Sequence, residues 1–158
     1  MLISEEIKAL AKGPNKLAYR YKGLLINSYI FHTKERDEGK KTQNFGVVNT
    51  TEIGNFSYYG KINDIIEINY SNLFKLILFK CDWAKTSLTG IKKDEFGYTI
   101  VNFSRLIHTG QKLQDDPFVF SSQVETIFYI QDAKNMNCNY VVRVKSRDAL
   151  DCNISCCL

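Results

Sequence analysis

Five cysteines and two histidines are the residues of this 158-residue chain best suited to hold a metal or attack a substrate. Structural zinc takes paired ligands a few residues apart, with a second pair further along. Here Cys81 and Cys138 stand alone, and Cys152, Cys156 and Cys157 crowd a short tail. His32 and His108 each follow a strand-like run with no neighbouring ligand. The spacing predicts no metal site and calls for no cofactor. Nucleophilic catalysis has equally little support, since there is no G-x-S-x-G elbow and no cue for a histidine that would activate Cys81. Cys81, two residues from the only tryptophan, Trp83, reads as a buried, inert thiol. Glycines 54, 60, 90, 97 and 110 occur singly, as turn or bulge glycines do, and form no phosphate-cradling loop.

Carboxylates could supply a metal-dependent nuclease site if several converged on one rigid scaffold. The candidates are Asp64, Glu67, Asp82, Asp94, Glu95, Asp115 and Asp116. Asp94-Glu95 and Asp115-Asp116 fall in expected turns, and Asp82 is placed to accept backbone N–H groups and turn the chain after its strand. A nuclease is therefore the least favoured function; no catalytic residue is assigned, and a non-enzymatic protein is expected.

Binding chemistry is better represented. The net charge is +4, and from Ile7 to Lys34 there is no acid, while Tyr19, Tyr21, Tyr29 and Phe31 interleave with lysine and arginine. Arg143, Lys145 and Arg147 alternate along a second, strand-like stretch. Aromatic stacking plus phosphate contacts could hold a nucleic acid strand, with Lys16, Arg20, Lys22, Arg143, Lys145 and Arg147 as candidate contacts. Alternating charge is also the ordinary solvent face of an edge strand, which is the favoured reading. Tyr58, Tyr59, Trp83, Phe96 and Tyr98 are candidates for an exposed aromatic groove. Such a groove would serve a protein or chromatin partner, by analogy with the bromo-adjacent homology and Tudor barrels.

The elements that must position these residues are mainly strands. Ser4 can cap a short first helix in which Ile7, Leu10 and Ala11 share a face, ended by Gly13-Pro14. Leu17 to Tyr21 alternates, Leu24 to Phe31 is one longer apolar run, and Lys34 to Asn44 is expected to be a loop with no apolar anchor. Phe45 to Val48 is a short strand. Ser57 to Tyr70 and Leu73 to Cys81 read as a hairpin about Ser71-Asn72, with Ile66, Ile68 and Tyr70 on its buried face. Tyr98–Phe103, Thr126–Ile130 and Tyr140–Lys145 complete the strands, and Ser121 to Val124 is a helical turn or bulge. The expected fold is a small barrel or barrel-like sandwich of about 7–9 short strands with one N-terminal helix. One domain is expected over residues 1–151, with 152–158 as a separate tail.

No apolar run approaches the length of a membrane span, and Glu5 and Glu6 stand where a secretory signal would be basic. Ser155 occupies the position at which a C-terminal prenylation motif needs cysteine. A soluble, intracellular protein with reduced cysteines and no membrane contact is expected. Its oligomeric state is not legible.

Several segments resemble a known family. They include Tyr29 to Asp37, Thr42 to Val47, Tyr58-Tyr59-Gly60, Leu78 to Trp83, Asp94 to Tyr98 and Val101 to Leu106. Towards the end come Asp116-Pro117-Phe118, Ser122-Gln123, Ile127 to Asp132 and Val144 to Asp148. In this order they resemble a plant domain of unknown function carried by En/Spm-type (CACTA) transposon proteins, where it normally lies downstream of the transposase catalytic domain. The resemblance implies a plant source, a transposon origin and a nuclear setting, and it brings no catalytic residues; a transposase or chromatin protein is the expected partner.

Overall fold

The structure, a computed structural model, describes residues 2–143. Lys145, Arg147, the tail cysteines and the expected domain end at residue 151 lie outside the described residues. Helix α1 (Glu5–Lys12) starts where Ser4 Oγ accepts the Ile7 amide, with Glu5 and Glu6 at its positive end. The expected apolar face is not its buried one: Ile7 and Leu10 are exposed and Ala9 alone is buried.

Strands follow as β1 (Tyr19–Tyr21), β2 (Gly23–Ile26) and β3 (Tyr29–His32), then helix α2 (Lys34–Asp37) and β4 (Gly46–Thr50). The apolar run from Leu24 to Phe31 is thus two strands, not one. Asn27 and Ser28 both take positive φ, 48° and 67°, which folds the run into a tight hairpin of β2 on β3. The segment from Lys34 is not a plain loop either. Thr33 Oγ1 caps α2 by accepting the Arg36 amide, and Asp37 is buried, its carboxylate taking His32 Nδ1 at 2.7 Å and the Asn44 amide at 2.6 Å. A polar network does the anchoring for which no apolar residue is available.

The long hairpin β5 (Ser57–Tyr70) and β6 (Phe74–Ala84) is the spine of the fold. After it come β7 (Ile91–Lys93), β8 (Thr99–Asn102), β9 (Leu106–Ile107), β10 (Phe118–Phe120), a 3-10 turn (Ser121–Gln123), β11 (Glu125–Gln131) and β12 (Cys138–Arg143). One antiparallel sheet runs β10-β6-β5-β4-β11-β12-β8-β7, with β1 also on β5 and β9 also on β6. The chain is mainly β, and this sheet curls into a barrel-like half-cylinder, with α1 and α2 as its two short helices.

The sheet buries side chains on both faces. Successive residues of a strand point to opposite faces, and Val47 and Val48 accordingly enter two different clusters. The first holds Phe31, Val47, Ile62, Ile65, Phe79, Cys81, Trp83 and Val119, covered by Leu24 and Ile26 of the β2–β3 ribbon. The second, on the other face, holds Val48, Tyr59, Ala84, Val101, Ile127 and Tyr129. Ile62 and Ile65, three residues apart, should face opposite ways. A bulge between Ile62 and Asp64 absorbs Asn63 and brings both into the first cluster. The same phase shift overturns the expected buried face of β5. Ile65 and Asn69 are buried on one face, while Ile66, Ile68 and Tyr70 are half-buried on the other.

Candidate functional site

Trp83 stands opposite Gly60 in the β5–β6 ladder, and its indole lies over the place where a Cβ on residue 60 would sit, 2.8 Å from the ring. Only glycine admits that packing. The indole N–H donates to the Pro117 carbonyl at 3.0 Å, and 5% of the residue is exposed. Half-buried Tyr58 lies on the same face and meets His108 with ring centroids 6.3 Å apart. Together Tyr58, Trp83, His108, Asp116 and Phe118 help to line a shallow cavity of about 170 Å³ beside the edge strand β10.

Of the five residues proposed for an aromatic groove, Tyr58 and Trp83 are brought together there. Tyr59 points to the other face and is buried in the second cluster. Phe96 and Tyr98 are exposed on the β7–β8 turn, whose form is set by Asp94 accepting both of their amides at 2.9 and 2.8 Å. One five-residue groove does not form, because strand alternation separates Tyr58 from Tyr59 and the turn lies at the other end of the strand path.

The basic candidates are largely paired. Arg20 reaches Asp64 at 2.8 Å, Lys22 reaches Glu35 at 3.6 Å and Arg143 reaches Glu125 at 3.4 Å. Lys16 is exposed, and β1 and β12 belong to different parts of the sheet, with β4 and β11 between β5 and β12. Among the described residues no three of the His, Cys, Asp and Glu side chains gather as a metal-binding group. Asp82 does not end a strand as expected. It lies inside β6 and accepts Asn63 Nδ2 at 2.6 Å and Lys34 Nζ at 3.1 Å. His32, expected to lack a partner, has Asp37. Cys81 is buried, and desolvation, with Asp82 adding to it, raises its thiol far above the ordinary range. That holds it as an unreactive thiol. A larger cavity of about 360 Å³, between the β7–β8 region and β12, takes in Lys92, Arg105 and Cys138.

One constellation escaped the sequence reading. Lys61 Nζ lies 4.2 Å from the ring centroid of Phe103, 5.5 Å from Tyr129 and 6.0 Å from Phe45. Phe103 stands nearly perpendicular to Tyr129, at 83°, and Phe45 is inclined to Tyr129 by 26°. The Tyr129 hydroxyl donates to the Gly60 carbonyl at 2.9 Å, which pins that wall. Burial, reinforced by Lys34 and opposed by Asp82, lowers the Lys61 pKa from its ordinary value. The available signal was positional: Lys61 shares a face with Tyr59, two residues away, so it is a cation on an apolar face.

The fold and these sites define a curled antiparallel β domain with an aromatic depression on one face and a lysine boxed by aromatics on the other. Residues 66–142 match the family model described as a domain of unknown function, DUF4216. Comparison with curated proteins and with solved structures gave no match.

Proposed function

We propose that this domain is a non-enzymatic accessory binding module, derived from a plant En/Spm-type transposon protein and acting in the nucleus through contacts with a protein or chromatin partner. The observation that carries the reading is the depression at Tyr58, Trp83 and His108, which lies beside an edge of β10 that no other strand pairs among the described residues. Phe118 and Phe120 of that strand are partly exposed, 40% and 41%. Aromatic anchors in a shallow pocket next to an open strand are the usual makings of a protein-recognition surface. Direct nucleic acid binding is less favoured because Arg20, Lys22 and Arg143 each lie within 4.0 Å of a carboxylate, which cancels much of their attraction for phosphate.

The test is capture from plant nuclear extract with the domain as bait, run beside Tyr58→Ala and His108→Ala. A specific partner retained by the parent and lost from both variants is expected. Retention of the same partners by all three proteins would reject this surface. DNA or RNA binding at low salt that falls steeply as salt rises would move the assignment to the nucleic acid alternative.

A further inference from the structure

The ring faces around Lys61 come from three separate places in the chain: Phe45 just before β4, Phe103 just after β8, and Tyr129 in β11. Each aromatic face carries negative potential, and a cation within about 6 Å of a ring centroid is attracted to it. One wall, Tyr129, does not depend on the lysine for its position. Tyr129 is fixed at its hydroxyl by Gly60 and at its amide by Gln43 Oε1, at 2.9 and 3.4 Å. Its ring passes over Gly46, where a Cβ would strike both that ring and the Ile127 carbonyl.

The present occupant suits the box poorly. A primary ammonium has three N–H donors to satisfy, and among the described residues the half-buried Lys61 Nζ makes neither a hydrogen bond nor an ion pair, with three rings within about 6 Å and the charges of Lys34 and Asp82 beyond hydrogen-bond reach. Burial accordingly disfavours its charge. A quaternary methylammonium has no N–H to satisfy, keeps its charge and packs methyl groups against ring faces. Asp82, directly opposite Lys61 in the β5–β6 ladder, already takes Asn63 and Lys34, and its carboxylate has lone pairs left for a displaced lysine.

We propose that Phe45, Phe103 and Tyr129 form a cation cage for a quaternary methylammonium group, and that Lys61 is a built-in plug which the ligand displaces. The proposal rests on the binding-module reading and gives it a ligand class, at a site on the opposite face from the Tyr58 depression. Because Lys61 is tethered beside the cage, the intact domain binds weakly and removal of the plug strengthens binding.

The probes are free Nε-trimethyllysine, choline and unmethylated lysine, titrated calorimetrically into the intact protein, Lys61→Ala and Lys61→Ala/Phe103→Ala. Trimethyllysine should bind Lys61→Ala about tenfold or more tighter than it binds the intact protein, and lysine should bind about tenfold more weakly than trimethyllysine. Adding Phe103→Ala should remove the preference. A trimethyllysine advantage over choline assigns the site to a methylated protein side chain, and equal binding assigns it to the headgroup alone; both support the cage. A natively melting Lys61→Ala that binds none of the probes, or binds lysine equally well, overturns the cage. If Lys61→Ala does not fold, ring resonances of the intact protein decide: saturating trimethyllysine must shift Phe103 and Tyr129, and the absence of a shift overturns the proposal. Failure here with partner capture still dependent on Tyr58 removes the cage and leaves the module. The reverse outcome removes the Tyr58 surface and leaves the cage.

Discussion

Cys81 and Trp83 share one acceptor: the Pro117 carbonyl takes the Cys81 amide at 3.0 Å and the Trp83 indole N–H at 3.0 Å. That shared bond draws β10 onto β6 and explains why the tryptophan, which the sequence offers equally as groove or core, is core with one edge at a cavity. Burial also gives Cys81 a pH signature. Its thiol, ordinarily near 9.0, is raised in the folded state by desolvation and then by Asp82. The unfolded chain therefore releases this proton above pH 9.0 while the native state keeps it, so the contribution to stability is complete below that pH and is lost as pH rises. Tyr129, raised by burial, acts in the same direction from its ordinary 10.0; Lys61, lowered by burial, acts in the opposite one. Comparison with Cys81→Ala isolates the thiol. In urea unfolding between pH 8 and 10.5, the parent should lose about 1.4 kcal/mol more per pH unit than the variant once above 9.0. Parallel pH curves for the two proteins would show that the thiol is accessible.

At the scale of elements, what was legible in the sequence was whatever alternation alone decides. The β5–β6 hairpin, β11 and the α1 cap followed from residue type and spacing. The failures have a common cause: one residue changes the phase of everything after it. Asn27 and Ser28 at positive φ convert the run from Leu24 to Phe31 into two strands, and nothing in its apolar pattern records that. Asn63 does the same within β5, so the alternation of Ile66, Ile68 and Tyr70 is real but belongs to the less buried face. Short α2 was missed because a capping threonine and a buried carboxylate, not hydrophobic periodicity, hold it. The bulge leads to an unusual expectation. Deleting Asn63 leaves Ile62 opposite Cys81 and Ile65 opposite Phe79 in a regular ladder, with both isoleucines still facing inwards. The cost should be about 1–3 kcal/mol, chiefly the Asn63 bond to Asp82 and the local twist. Deleting Ile66 has no bulge to absorb it and moves Glu67, Ile68 and Asn69 to the wrong faces, so the cooperative melt should disappear. Thermal unfolding of the two deletions decides; loss of folding in the Asn63 deletion alone would mean that the bulge holds β5 in place.

For the whole molecule, the candidate sites depend on strands that are distant in sequence. The cage draws on β5, β11 and the residues just before β4 and just after β8, and the Tyr58 depression on β5, β6, β10 and the segment before β10. This is why single motifs could mark the stretch around Trp83 yet could not say which aromatics share a face. It also bears on the matched segment, residues 66–142, which starts inside β5. That segment lacks β4, the strand that joins β5 to β11 in the sheet, and without β4 the half built on β6 and the half built on β12 have no ladder between them. The first cluster would lose Phe31, Val47, Ile62 and Ile65, and the second would lose Val48 and Tyr59. Burying a single large aliphatic or aromatic side chain contributes about 1.5–3 kcal/mol, so the loss of six is as large as the whole 5–15 kcal/mol that holds a typical domain together. Residues 66–142 expressed alone should therefore show no cooperative thermal transition and poor amide dispersion by NMR, whereas residues 2–143 should show both a transition and dispersed amides. A folded 66–142 fragment would mean that β5 can pair directly with β11. The first 65 residues would then be a covering layer on a smaller domain instead of part of its sheet.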